Sequence, residues 1–211
     1  VRSDVSGLAI QLRANGGLVH HNDFFAVNPT SNDIFNIPTD EDWSQAPSLG
    51  ADDASGERNI YIEDNTFTNI SETGPDGDMG ARLVIRGNTY VDSSIVFHGG
   101  YPADSSPNGG TRHFEVYNNR FQRVSNNIGV NKWIWVRGAT GVIANNVMDR
   151  ADSPDGSSYP NKHELLLTVG CPSGYPVQYQ VGQALRTPEA IPSRPLAIFG
   201  NSGAGTSDAN F

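Results

Sequence analysis

The clearest order in the chain is a recurring six-residue phrase of apolar and polar positions. A β-branched residue is followed by any residue, a turn former, Asn, any residue, and usually an aromatic or apolar residue. The copies are Val19-His20-His21-Asn22-Asp23-Phe24, Ile62-Glu63-Asp64-Asn65-Thr66-Phe67, Ile85-Arg86-Gly87-Asn88-Thr89-Tyr90, Val116-Tyr117-Asn118-Asn119-Arg120-Phe121, Ile143-Ala144-Asn145-Asn146-Val147-Met148 and a degenerate Ile198-Phe199-Gly200-Asn201-Ser202-Gly203. Their Asn residues are separated by 43, 23, 31, 27 and 55 residues. The shortest interval predicts one coil of 23 residues with loops added elsewhere, and the two long gaps have room for an extra coil each. Residues 12–22 also align without a gap on residues 136–146, so each coil reads as two short strands joined by a Gly-containing corner. Strands this short, alternating with period two, cannot bury a face alone. Consecutive coils must therefore stack about 4.8 Å apart, and six to eight of them would make a column of about 35 Å.

The repeated Asn has a physical role in such a stack. Its amide carries both donor and acceptor atoms, tolerates the left-handed conformation of a sharp corner, and can bond the same residue one coil above and below. Asn22, Asn65, Asn88, Asn119, Asn146 and Asn201 form the expected ladder. Composition agrees with a turn-rich β protein: 23 Gly, 13 Pro, 36% hydrophobic and only 18% charged residues. The net charge of −9, without a Lys/Arg run, leaves no electrostatic footprint for nucleic acid. No apolar run reaches the length of a membrane span, so membrane insertion is not expected. The single Cys171 reads as an inert buried thiol and excludes a cysteine-based zinc site.

These residues resemble the right-handed parallel β-helix proteins of the pectate-lyase-like superfamily, whose coils stack an Asn ladder beside aliphatic and aromatic columns. The likeness is carried by residues 8–24 and 59–151. The tail, with Cys171-Pro172-Ser173-Gly174-Tyr175 ahead of Pro195-Leu196-Ala197-Ile198-Phe199, is similar to the C-terminal coils of uncharacterised secreted bacterial members. The resemblance implies an all-β, right-handed solenoid: one domain over 1–211, a long loop at 28–58 and weaker C-terminal coils at 163–211. Pro-, Gly-, Asp- and Ser-rich excursions are expected at 28–58, 71–80, 101–110 and 152–162, where they would wall any groove. Within the first, Ile34-Phe35-Asn36-Ile37 reads as a strand and Trp43 as its anchor. The chain opens at Val1, and neither end shows a polar cap. It is expected to be a fragment of a longer polypeptide, pairing with further segments of that polypeptide or with neighbouring copies.

Relatives of this fold include pectate and alginate lyases, polygalacturonases, phage tailspikes and adhesins, so the fold leaves the function open. Alternation points Glu63, Arg86, Tyr117 and Ala144 outward in one row, where Glu63 and Arg86 make an ordinary exposed ion pair. If Ile134 and Val136 are core, then Trp133, Trp135 and Arg137 face out, and aligning Phe97-His98-Gly99 on Val136-Arg137-Gly138 adds His98 to that row, with Arg13 elsewhere along it. Aromatic rings stack on sugar faces, and Arg137 and Lys132 suit carboxylate or sulfate groups. The strip is thus the expected site for an extended acidic polysaccharide. The competing reading lays the tryptophans under a loop and binds Arg137 to corner carbonyls.

A lyase on this fold would need a base, for which His98, Arg137 and Lys132 are the candidates, with His113 and Glu115 expected on the next coil. The Asp pair and Gly-His-Gly signatures of polygalacturonases are absent. The neighbours His20 and His21 are expected on opposite faces, so they read as corner histidines rather than as a metal site. The acidic stretches Asp40-Glu41-Asp42, Asp52-Asp53 and Asp76-Gly77-Asp78 read as solvated loops able at most to bind calcium weakly; no cofactor is expected. The expected function is an extracellular, cell-surface or virion-surface module that binds glycan or builds a larger structure. The alternatives are a lyase on uronate-containing glycans and a purely structural spacer.

Overall fold

The computed structural model describes residues 2–3, 10–12, 16–26, 33–38, 59–70, 73–78, 81–98, 111, 113–124, 132–150, 163–167 and 196–203. The expectations for Arg13, Trp43, Cys171, the acidic stretches at 40–42 and 52–53 and the excursions at 101–110 and 152–162 fall outside these residues.

The described strands come in sets of three. The first set is β1 (Arg2–Ser3), β2 (Ile10–Gln11) and β3 (Gly17–His20); the second is β4 (Asp23–Ala26), β5 (Asp33–Pro38) and β6 (Ile60–Glu63). The third is β7 (Thr66–Thr68), β8 (Thr73–Asp78) and β9 (Arg82–Arg86); the fourth is β10 (Thr89–Val91), β11 (Ile95–Phe97) and β12 (His113–Tyr117). Then follow β13 (Arg120–Arg123), β14 (Lys132–Val136) and β15 (Thr140–Ala144), and β16 (Val147–Arg150), β17 (His163–Leu167) and β18 (Ala197–Phe199), with β19 (Ser202–Gly203) last. Every third strand joins the same sheet. Sheet A runs β1-β4-β7-β10-β13-β16-β19, sheet B runs β17-β14-β11-β8-β5-β2, and sheet C runs β18-β15-β12-β9-β6-β3, with neighbours parallel. This is a parallel β-helix with three faces.

Two expectations about the coil are corrected. Each turn holds three strands rather than two: the strands read from residues 12–22 and 136–146 belong to sheets B and C, and a further short strand follows the ladder Asn on sheet A. Strand β8, Thr73-Gly74-Pro75-Asp76-Gly77-Asp78, lies inside the stretch read as a loop, whereas β5 does lie where Ile34 to Ile37 suggested a strand. The long gaps hold no extra coil. Asn22 donates from N and Nδ2 to Asn65 Oδ1 at 3.0 and 3.1 Å, and Asn146 does the same to Asn201 Oδ1 at 3.0 and 2.8 Å. Both gaps are therefore single turns with long insertions.

The six-residue phrase is the corner between sheets C and A. Its third residue is left-handed in every copy: His21 (φ 54°), Asp64 (57°), Gly87 (67°), Asn118 (56°), Asn145 (55°) and Gly200 (66°). The conformation expected of the ladder Asn thus belongs to its predecessor, which turns the chain and aims the next side chain into the column. There the ladder is continuous. Asn119 donates from Nδ2 to Ile85 O, Tyr117 O and Asn146 Oδ1 at 2.9 to 3.1 Å, while its own Oδ1 accepts from Asn88 N and Nδ2 at 3.0 Å. Buried amides persist only when satisfied in this way.

The sixth position of the phrase builds the core beside the ladder. Phe24, Phe67, Tyr90 and Phe121 stack with ring centroids 4.8, 4.9 and 4.7 Å apart. Ile62, Ile85, Val116 and Ile143, the first positions, form a fully buried aliphatic column in sheet C. In a second aromatic layer Phe97 lies 4.0 Å from Phe114. Gly141, the register partner of Phe114, is required there: a Cβ would stand 2.0 Å from the Phe114 carbonyl oxygen.

Candidate functional site

Sheet B assembles most of the expected strip. The pairing of Phe97 with Val136 sets His98 beside Arg137, and Val96 lies between Asp76 and Trp135 on the outward face. Trp135 is half-buried, with Lys132 Nζ 4.1 Å and Arg137 Cζ 4.8 Å from its ring centroid. Trp135 is thus a shared cation–π platform for two like charges, each attraction being about 0.5–2 kcal/mol.

Behind the indole, His98 joins a buried carboxylate to a buried guanidinium. Its Nε2 is 3.2 Å from Asp76 Oδ1 and its Nδ1 3.1 Å from Arg137 Nη1. The Arg137 contact is a hydrogen bond while the ring is neutral, with its proton on Nε2 toward Asp76. Burial is the largest influence on His98 and disfavours its charged form. The hydrogen bond to Asp76 and the fields of Asp76 and Asp78 outweigh burial and Arg137 together, so the imidazole titrates above its ordinary value. Arg137 Nε is buried without a hydrogen-bond acceptor.

Trp133 does not join the strip. It is 2% exposed, in the core, with its ring 6.0 Å from Phe121 and tilted by 32°. Strict alternation fails at the start of β14, where Trp133 and Ile134 both lie in the core although the offset to β17 is the same at Lys132 as at Ile134. The aromatic column continues from Phe121 to Met148 rather than to another ring, so the indole packs against Phe121 from the side, and the gain from burying it outweighs regular alternation. His113 and Glu115 are also relocated: β12 follows β11 in the same turn, on sheet C, so they face away from the sheet B strip.

Asp76, the partner of His98, was hidden by register. The offset between turns is 23 residues at Thr66↔Thr89 and 20 at Asp76↔Val96, because residues are inserted after Ile70. A test of Asp-Gly-Asp as a strand would have found it. On sheet C the expected pair forms, with Arg86 Nε donating to Glu63 Oε2 at 2.5 Å. His20 and His21 were expected on opposite faces, yet their Nδ1 atoms lie 2.8 Å apart, because the left-handed His21 turns its ring back. No protein-family model, curated protein or solved structure matches the chain.

Proposed function

We propose that this parallel β-helix is an extracellular or surface-displayed module that binds an extended acidic polysaccharide along sheet B, in keeping with its resemblance to the pectate-lyase-like superfamily. The convergence of Lys132 and Arg137 on the half-buried ring of Trp135 carries this reading. Two cations held over one indole repel each other, and a uronate carboxylate or a sulfate between them relieves that repulsion while the sugar ring packs on the accessible part of the indole.

Binding is favoured over elimination by the state of His98. A lyase base needs a nitrogen that reaches the sugar proton, and here Nε2 faces Asp76 while Nδ1 faces Arg137. A structural role within a larger appendage is compatible with the same fold and makes no use of this cluster.

Titration calorimetry with alginate and pectin tests the proposal. Weak binding that falls with added salt, is lost in Trp135→Ala and yields no unsaturated product on long incubation is the expected result. Steady product formation that disappears in His98→Ala replaces binding with the lyase reading, and wild-type indifference to both polymers leaves the structural role.

A further inference from the structure

The outward face of sheet C carries a second constellation that the acidic-glycan reading does not use. Register places Glu63, Arg86 and Tyr117 in one row and Tyr61, Val84 and Glu115 in the next. Arg86 is the centre. Its Nε donates to Glu63 Oε2 at 2.5 Å, its Nη1 donates to Tyr117 Oη at 2.9 Å, and its Cζ lies 5.6 Å from the Tyr61 ring centroid. The guanidinium is fixed on two sides, yet its side chain remains 41% exposed. Its Nη2 has no acceptor among the described residues, so a donor edge is presented in one orientation. Val84, 2% exposed, is the apolar floor beneath. Beside it Glu115 Oε1 sits 3.5 Å from His113 Nε2.

We propose that this face is a binding site for an uncharged polysaccharide, with Tyr61 and Tyr117 as stacking rings and Arg86 and Glu115 as the hydroxyl-binding pair. Tyr61 and Tyr117 lie two rungs apart, about 10 Å along the column, with half-buried rings on which sugar faces can pack. A planar guanidinium donates to sugar hydroxyls and a carboxylate accepts from them, so the pair can read adjacent hydroxyl groups. The carboxylates of Glu63 and Glu115 are matched by Arg86 and the buried Arg82 on the same face of β9, so this face holds no excess of positive charge to draw a polyuronate and admits a neutral chain. Hydrolysis is not part of the proposal. The hydrogen bond from His113 outweighs burial and holds Glu115 below its ordinary range, the reverse of what a proton-donating acid requires.

Depletion of the protein from solution by insoluble cellulose, β-glucan and mannan tests the site. The expected result is binding to at least one of them that survives about 0.5 M salt, where screening removes long-range charge attraction. Tyr61→Ala and Arg86→Ala should each weaken it about tenfold or more, as loss of a stacking ring or a charged donor does. Tyr117→Phe keeps the ring and removes only the hydroxyl that anchors Arg86, so it should weaken binding about threefold and serves if Arg86→Ala fails to fold. Trp135→Ala should have no effect, which separates this site from sheet B. No depletion by any of the three polymers, undiminished binding in Tyr61→Ala and Tyr117→Phe, or a loss confined to Trp135→Ala overturns the proposal.

Discussion

At the scale of single residues, the ladder Asn and the partly buried His98 make opposite kinds of demand. Asn119 satisfies two main-chain carbonyls and the Asn of the next turn, and it accepts two donors from the turn before. Asn119→Ala strands those groups in the core and should cost about 1–3 kcal/mol in urea unfolding, with an unchanged m-value. His98 is held by charge instead. Because its folded pKa is raised, its contribution to stability is complete below the unfolded value of 6.5 and is lost as pH rises through the folded value. Titration of its ring followed by NMR should therefore show a midpoint above 6.5, and Asp76→Asn should bring it down. A midpoint below 6.5 in the wild type would show that burial and Arg137 prevail.

At the scale of elements, the corner between sheets C and A was legible because one phrase carries three signals: a β-branched core residue, a left-handed turn residue and an inward Asn. The strands of sheet B were legible in part: Ile34 to Ile37 and Ile134 to Val136 read as strands, and β8 did not. Strand β8 is built of residues that usually make loops, and its register is shifted by the insertion after Ile70, so neither periodicity nor spacing points to Asp76. Strand β14 misleads for a different reason: alternation is a rule of paired backbone, and at Trp133 side-chain packing on Phe121 overrides it. Glycines record similar local demands. Gly141→Ala should cost about 3 kcal/mol or more, since its Cβ meets the rigid Phe114 carbonyl. Gly87→Ala should cost less, about 1–2 kcal/mol, because φ is +67° but the obstructing Asp64 Oδ1 belongs to an exposed side chain that can swing aside. Thermal unfolding of the two variants side by side checks the ranking.

At the scale of the whole molecule, the faces of one column differ in chemistry because the outward positions are free of the constraint that fixes the inward ones. The ladder and aromatic stack occupy the interior in turn after turn. Outside, sheet B gathers Lys132, Trp135 and Arg137, and sheet C gathers Glu63, Arg86 and two tyrosines. Salt should therefore separate the faces: polyuronate binding falls as screening rises, and neutral-glycan binding does not. The competition assay that checks this adds each polymer in turn to protein already saturated with the other, and the expected outcome is no displacement.

The closure of every turn on its own three strands has a genetic meaning. Thr66 and Thr89 occupy the same rung position, so excising residues 66–88 in frame would join Asn65 to Thr89 and set Phe24 on Tyr90, Ile62 on Val116 and Asn65 on Asn119. The shortened chain should fold, one rung or about 4.8 Å shorter, with a β-type circular dichroism spectrum and a cooperative melt. Excising only 66–77 should not, since it removes part of a turn and leaves the later strands without partners. Tandem duplication of such a stretch is equally silent for the interior. Lineages of this gene can thus lengthen or shorten the column by replication slippage in a single step, while point substitutions outside remodel what each face holds.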